Sequence, residues 1–203
     1  SSDAYVFYSN DLKKPIKREA ARFIHRYEEK QFKYLLLEES HFCAGCHMIR
    51  MSAFEQVNPK KEIYPAKRGQ NWQLLLPVYY RYKRFFLDEP LYGYVIYPKS
   101  MSAGDITKDK ELYRWKEHEE IINQTLRRIP LNDKEREEYT RLINIQYAKK
   151  RFYTAIDYRD KNLLKKQYIF LKQCNVDSKK IKKLYLRNYY LLWKIFYKLK
   201  EIM

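Results

Sequence analysis

Residues 68–102 constrain the fold of this chain more than any other stretch. They read Arg-Gly-Gln-Asn-Trp-Gln-Leu-Leu-Leu-Pro-Val-Tyr-Tyr-Arg-Tyr-Lys-Arg-Phe-Phe-Leu-Asp-Glu-Pro-Leu-Tyr-Gly-Tyr-Val-Ile-Tyr-Pro-Lys-Ser-Met-Ser, in the order polar turn, helix, strand, polar turn. Gly69 ends whatever precedes it, and Asn71 carries the short side-chain oxygen that caps a helix. Trp72, Leu75, Leu76, Tyr79 and Tyr82 then recur at helical spacing. Pro77 removes the N–H that would bond the Gln73 carbonyl, so a kink is expected there. Residues 85–97 are β-branched and aromatic on both faces, with a break at Asp88-Glu89-Pro90, and this predicts a buried strand.

Ahead of this stretch, Ala4–Tyr8 reads as a short strand stopped by Ser9-Asn10-Asp11. A core strand needs neighbours, so the run is expected to belong to something longer. Residues 12–30 read as a charged loop leading into a short helix, and 31–37 are ambiguous between strand and helix. Phe42–Met48 is expected to be a strand interrupted by Gly45, where a ligand could approach the backbone closely. Ser52 and Glu55 form the pattern of a capping box opening a short helix that ends at Asn58-Pro59. Residues 59–69 form a basic loop. After Ser102 the periodicity changes, and 110–129, 133–157, 160–174 and 178–201 read as four helices separated by Asp-, Asn- or Ser-bearing breaks. With 21 Tyr and only 4 Gly, the composition favours helices over elaborate loops. No apolar run approaches the roughly 20 residues that span a bilayer, and no signal-peptide pattern is visible.

The net charge of +17 is concentrated late: residues 161–203 carry 12 basic and 2 acidic side chains. Such a field draws an anionic partner, whether nucleic acid, lipid headgroups or phosphorylated ligands, or else marks a merely basic soluble chain. The three cysteines are an odd number and widely split, which speaks against a disulfide framework. Cys43-Ala44-Gly45-Cys46-His47 matches the c-type haem attachment spacing, but that attachment belongs to exported proteins. A zinc site from His41, Cys43, Cys46 and His47 crowds every ligand into seven residues, where structural zinc usually takes two separated pairs. Strand alternation would also point Cys43 and Cys46 to opposite faces, so buried apolar cysteines are the expectation and no metal is assigned. His25 and His118 lie in charged stretches and are expected to be solvated.

A strand with Gly45, an Arg50-Met51-Ser52-Ala53-Phe54 helix, a basic loop, a Gly69-Gln70-Asn71-Trp72 helix, a Glu89-Pro90-Leu91-Tyr92-Gly93-Tyr94 strand and Ser100-Met101-Ser102 follow in that order. Residues 4–105 thereby resemble the acceptor-side half of the family 2 glycosyltransferases, nucleotide-sugar-dependent enzymes that build bacterial capsules and surface polysaccharides. The resemblance implies part of a Rossmann-like GT-A fold. It also implies that the nucleotide-binding strands and an Asp-x-Asp site for Mg or Mn belong to a parent chain, with no cofactor held by this segment. Where many members place an acidic pair whose second carboxylate deprotonates the acceptor, this sequence has Gln70 and Asn71. An amide takes up no proton at neutral pH but can bond a sugar hydroxyl. Asp88, Glu38 and Glu39 are alternative bases. Gln70, Asn71, Trp72 and Gly45 are expected at the acceptor, with Asn71 alternatively only a cap and Trp72 alternatively core. Arg50 and Arg68 are candidate phosphate contacts, or solvated surface arginines.

The expectation is therefore an α/β portion over residues 1–105 and an all-α basic region over 106–203. The parent would move sugar from a nucleotide-sugar to a saccharide or lipid-linked acceptor, and this segment alone would be inactive. In residues 178–201, Ile181, Leu184, Leu191, Leu192, Ile195 and Leu199 share one face, and Lys183, Arg187, Lys194 and Lys198 another. Interleaved aromatics give this helix the character of one lying on an anionic membrane, at the cytoplasmic face of the plasma membrane. A homo-oligomer is also considered. The alternative readings are a nucleic-acid-binding module, for which no known motif is present, and a protein-interaction domain.

Overall fold

The computed structural model describes residues 1–41, 43–98, 107–176 and 178–189. Within them lie β1 (Ser2–Tyr8), β2 (Lys17–Arg18), α1 (Phe32–Leu36), α2 (Met51–Val57), α3 (Gln70–Arg81), β3 (Leu87–Ile96), α4 (Lys108–Arg127), α5 (Asp133–Asp157), α6 (Lys161–Gln173) and α7 (Lys179–Tyr189). Short 3-10 turns occur at Ala20–Arg22 and Ala44–Cys46. The fold is a mixed α/β one dominated by helix. Two compact units partition the chain: Ser1–Asp105 with Glu117–Tyr139, and Ile106–Lys116 with Thr140–Met203. The sequence-based division at 105/106 differs in that Glu117–Tyr139 joins the first unit.

In the first unit, β1 is the central strand of three, paired antiparallel to β2 and parallel to β3. Tyr5 lies opposite Gly93 and Phe7 opposite Val95. The ladder slips between Ser2 and Ala4, where the Asp88-Glu89-Pro90 break passes, because proline cannot donate to the ladder. Asp3 anchors this irregular start. Its buried carboxylate accepts from the backbone N–H of Ala4 and of Ala20, both at 2.7 Å, and pairs with Arg18 Nε at 2.7 Å. Ala4 and Val6 of β1 are buried, as are Leu35 and Leu36 of α1 and Leu75 and Leu76 of α3, and α1 packs on α3.

The prediction that β3 is buried is corrected by its exposure. Leu91 is 66% and Tyr94 45% accessible, because β3 is an edge strand and most of its side chains are left uncovered by the described residues. Within the expected strand at 42–48, the described residues 43–48 hold no strand but the 3-10 turn, closed by Cys46 N–H to the Cys43 carbonyl at 3.1 Å. The α2 capping box is also displaced. Arg50 is the N-cap, Ser52 lies inside the helix, and Glu55 pairs with Lys61 at 2.9 Å. Asn71 does not cap α3. Gly69 does, in the left-handed region at φ 75°. The helix assignment runs through Pro77 without interruption, and Pro77 is buried.

The second unit holds one apolar cluster: Ala148, Phe152, Ala155, Leu164, Leu171 and Ile181, closed by Tyr185 stacked 3.9 Å over Tyr168. Its helix breaks behave as their residues dictate. Asp160 accepts the Leu163 N–H at 3.0 Å and Ser178 accepts the Ile181 N–H at 3.2 Å. In the first unit, Asn132 and Glu135 bond each other's backbone N–H reciprocally at the start of α5.

Candidate functional site

Two hydrogen-bonded clamps set the position of α3. Buried Gln73 holds the 59–69 loop by donating to the Tyr64 carbonyl at 2.9 Å and accepting the Tyr64 N–H at 2.6 Å. Asn58 holds the same loop through the Glu62 backbone. Gly69 packs so closely that an added Cβ would lie 3.0 Å from Ile121. These contacts fix α3 beside α2 and leave a cavity of about 430 Å³ between them and residues 82–85. Tyr82 donates to Gln56 Oε1 at 2.6 Å, tying the end of α3 to α2 on the cavity wall. Lys83, also on the wall, pairs with Glu29 at 2.6 Å. Arg84 lines the cavity while only 6% exposed.

His47, on the cavity wall, stacks on buried His41 with ring centroids 5.7 Å apart. Burial holds both imidazoles down to about 4, so both are neutral near pH 7. His47 Nδ1 lies 2.8 Å from the Cys43 carbonyl oxygen. Burial pushes the Cys46 thiol up to about 12 and raises Cys43 too. A protonated thiol is neither a nucleophile nor a metal ligand. Among the described residues no three His, Cys, Asp or Glu side chains converge as a cation site. The donor set here does not fit the Mg or Mn expected of the parent enzyme, and no step is assigned to a metal in this chain.

Of the residues nominated for the acceptor, the phosphate or the base, Arg50 alone lines the cavity. Gln70 and Asn71 open α3, about 12 Å along the helix from Tyr79 at 1.5 Å per residue. Gln70 is exposed and donates to the Ala66 carbonyl at 3.2 Å. Trp72 is 4% exposed and meets His118 edge-on at 4.8 Å, so its ring offers no open face to a sugar. His118 is thus packed rather than solvated, and His25 is stacked on Tyr34 at 4.1 Å. The space at Gly45 is taken by the Tyr92 ring, which a Cβ would meet at 2.2 Å, so the close approach there is made by β3 and not by a ligand. Arg68 faces Glu117 at 3.9 Å. Asp88 is held by Arg18 and the Tyr27 hydroxyl, and the Tyr27 hydrogen bond, followed by Arg18, keeps its carboxyl below the usual range. That makes Asp88 a weaker base, and it is absent from the cavity wall, as are Glu38 and Glu39. Lys183 and Arg187 are exposed on α7, whereas Lys194 and Lys198 lie outside the described residues. Arg84 and Gln73 were missed, since a lone Arg or Gln in a mixed sequence carries no periodic or motif signal. No family model, curated protein or solved structure matches this chain.

Proposed function

We propose that this chain supplies the acceptor side of a family 2 glycosyltransferase, whose parent protein moves a sugar from a nucleotide-sugar to a saccharide or lipid-linked acceptor in bacterial surface polysaccharide synthesis. The observation that carries this reading is the cavity between α2 and α3. These two helices bear the Arg50-Met51-Ser52-Ala53-Phe54 and Gly69-Gln70-Asn71-Trp72 motifs. Its walls mix hydroxyl and amide groups (Ser52, Gln56, Tyr82) with apolar Leu75 and Val78, as a sugar with polar rims and C–H faces requires. The uncovered β3 adds support: a parallel strand pair is normally sealed on both faces, as it would be inside a larger Rossmann-like sheet. The base is unassigned in this reading, since no carboxylate among the described residues lines the cavity.

Recruitment to an anionic membrane at the cytoplasmic face completes the reading. Lys161, Lys165, Lys172, Lys180, Lys183 and Arg187 are exposed on α6 and α7. On α7 they lie opposite buried Ile181 and Tyr185, and exposed Ile169 sits beside Lys165 on α6. No described helix is long and apolar enough to cross a membrane. Saturation-transfer NMR with oligosaccharides and nucleotide-sugars tests the catalytic part. Oligosaccharide protons are expected to receive saturation from the chain, and Tyr82→Ala is expected to abolish it. Silence from every saccharide and every nucleotide-sugar at millimolar concentration ends the proposal. Tight, salt-sensitive binding to single-stranded nucleic acid without saccharide binding would favour the nucleic-acid reading instead.

A further inference from the structure

Arg84 follows α3 by three residues and is 6% exposed. Its Nη2 donates to the Arg26 carbonyl. Its Nε and Nη1 are buried with no hydrogen-bond partner of good geometry. Nothing around it supplies the missing negative charge. His41 and His47 each sense Arg84 as a repulsive neighbour. The Tyr79 hydroxyl interacts with the guanidinium but brings no negative charge, since burial keeps it protonated, with its pKa pushed up to about 12. Asp3 is held by Arg18 and two backbone N–H groups. Among the described residues no carboxylate lines the cavity, and Arg50 enters the wall from the start of α2. A guanidinium does not deprotonate to escape burial, so unsatisfied donors of this kind are strongly disfavoured until an anion meets them.

We propose that the α2–α3 cavity is an oxyanion site, in which the free donors of Arg84 hold a phosphate or carboxylate group and Arg50 approaches it from the rim. Charge-assisted hydrogen bonds to such a group would satisfy Arg84 and use the positive potential of the pair. A cavity of about 430 Å³ has room for more than a free phosphate. Ser52, Gln56 and Tyr82 are placed to meet the hydroxyls of the body that carries the charge. The ligand class is therefore an anionic saccharide, either a sugar phosphate or a uronic acid. Its identification as the acceptor sugar rests on the glycosyl-transfer reading, whereas the oxyanion site itself does not.

Isothermal titration of the chain with glucose 1-phosphate, glucuronate and glucose tests this, alongside the Arg Nε–H signals in nitrogen-correlated NMR spectra. At least one charged probe is expected to bind about tenfold more tightly than glucose and to shift the Arg84 Nε–H signal. Arg84→Gln is expected to weaken that binding about tenfold or more, and Arg50→Gln to weaken it less, since Arg50 is exposed. Glucose 1-phosphate alone identifies a phosphate site, glucuronate alone a carboxylate site, and both together the shared oxyanion chemistry. If Arg84→Gln does not fold, Arg50→Gln and the Nε–H shift carry the test. An unmoved Arg84 signal with every charged probe overturns the oxyanion site. So does glucose binding as tightly as the charged sugars, although that result leaves sugar transfer standing. Charged sugars binding no better than inorganic phosphate would keep the oxyanion site and remove the saccharide from it.

Discussion

Gly69→Ala puts a definite load on the start of α3. At φ 75° an L-residue with a Cβ pays about 1–2 kcal/mol in the left-handed region. The new methyl would also lie 3.0 Å from both Cδ1 and Cγ2 of Ile121 and 3.1 Å from Trp72 Cε3. Ile121 is fully buried and Trp72 is 4% exposed, so neither can retreat into solvent. Overpacking of this kind adds about 1–3 kcal/mol, giving a loss of roughly 2–5 kcal/mol. Urea unfolding followed by tryptophan fluorescence reads it as a lower midpoint at unchanged slope. Two further variants separate the two causes. Gly69→Asn relieves the backbone part, since Asn visits the left-handed region, but keeps the clash. Adding Ile121→Val to Gly69→Ala relieves part of the clash but not the backbone. A loss below about 0.5 kcal/mol for Gly69→Ala would refute both the assigned backbone conformation and the packing argument.

Asp3→Ala leaves the buried N–H groups of Ala4 and Ala20 without their acceptor and is expected to cost about 2–4 kcal/mol by the same measurement, with a cost under 1 kcal/mol contradicting its anchoring role. His41 and His47 fall from 6.5 to about 4 because folding buries them, so the folded state binds fewer protons than the unfolded chain. Their contribution is complete above about pH 6.5 and drains away as the pH falls toward about 4, so the unfolding midpoint should fall steeply across that window and less steeply in His47→Gln. A flat profile between those limits would show that the rings are not held neutral. Binding to anionic vesicles should fade with salt and be lost in a Lys183/Arg187/Lys194/Lys198→Glu variant, at about 1 kcal/mol per charge, and equal co-sedimentation with neutral vesicles would remove the membrane from the account.

Local signals in the sequence marked α5 and α6 almost to the residue, because capping by Asn132 and Asp160 acts within three residues of itself. β1 and the kinked register at Asp88-Glu89-Pro90 were legible for the same reason. The exposure of β3 was not. Apolar alternation shows what a strand could bury, while burial depends on whether another layer covers it. Gly45 was expected to admit a ligand close to the backbone, but the group that fills the space is Tyr92, which lies 47 positions away in sequence. The cavity was the least legible feature. Its buried cation, Arg84, sits in an ordinary Tyr-Lys-Arg-Phe-Phe run and gains its meaning only from burial and from partners that are absent.

The parallel pairing of β1 with β3 has a consequence for the order in which this chain can assemble. Tyr5 meets Arg18 and Gly93, so one edge of β1 closes over a span of 13 residues and the other over 88. With the logarithmic scaling of loop closure, the first costs roughly 2.3 kcal/mol and the second roughly 4 kcal/mol, each plus the same constant. The two-residue β2 is too short to hold β1 by itself. During synthesis the parallel pairing of β1 with β3 therefore cannot be completed until Ile96 has left the ribosome. The α1–α3 region has emerged by then and can condense first, shortening the effective span. β1 is thus a late arrival that locks the first unit, and slowing of folding by mutation should be concentrated in α1 and α3 rather than in the strand at the start of the chain.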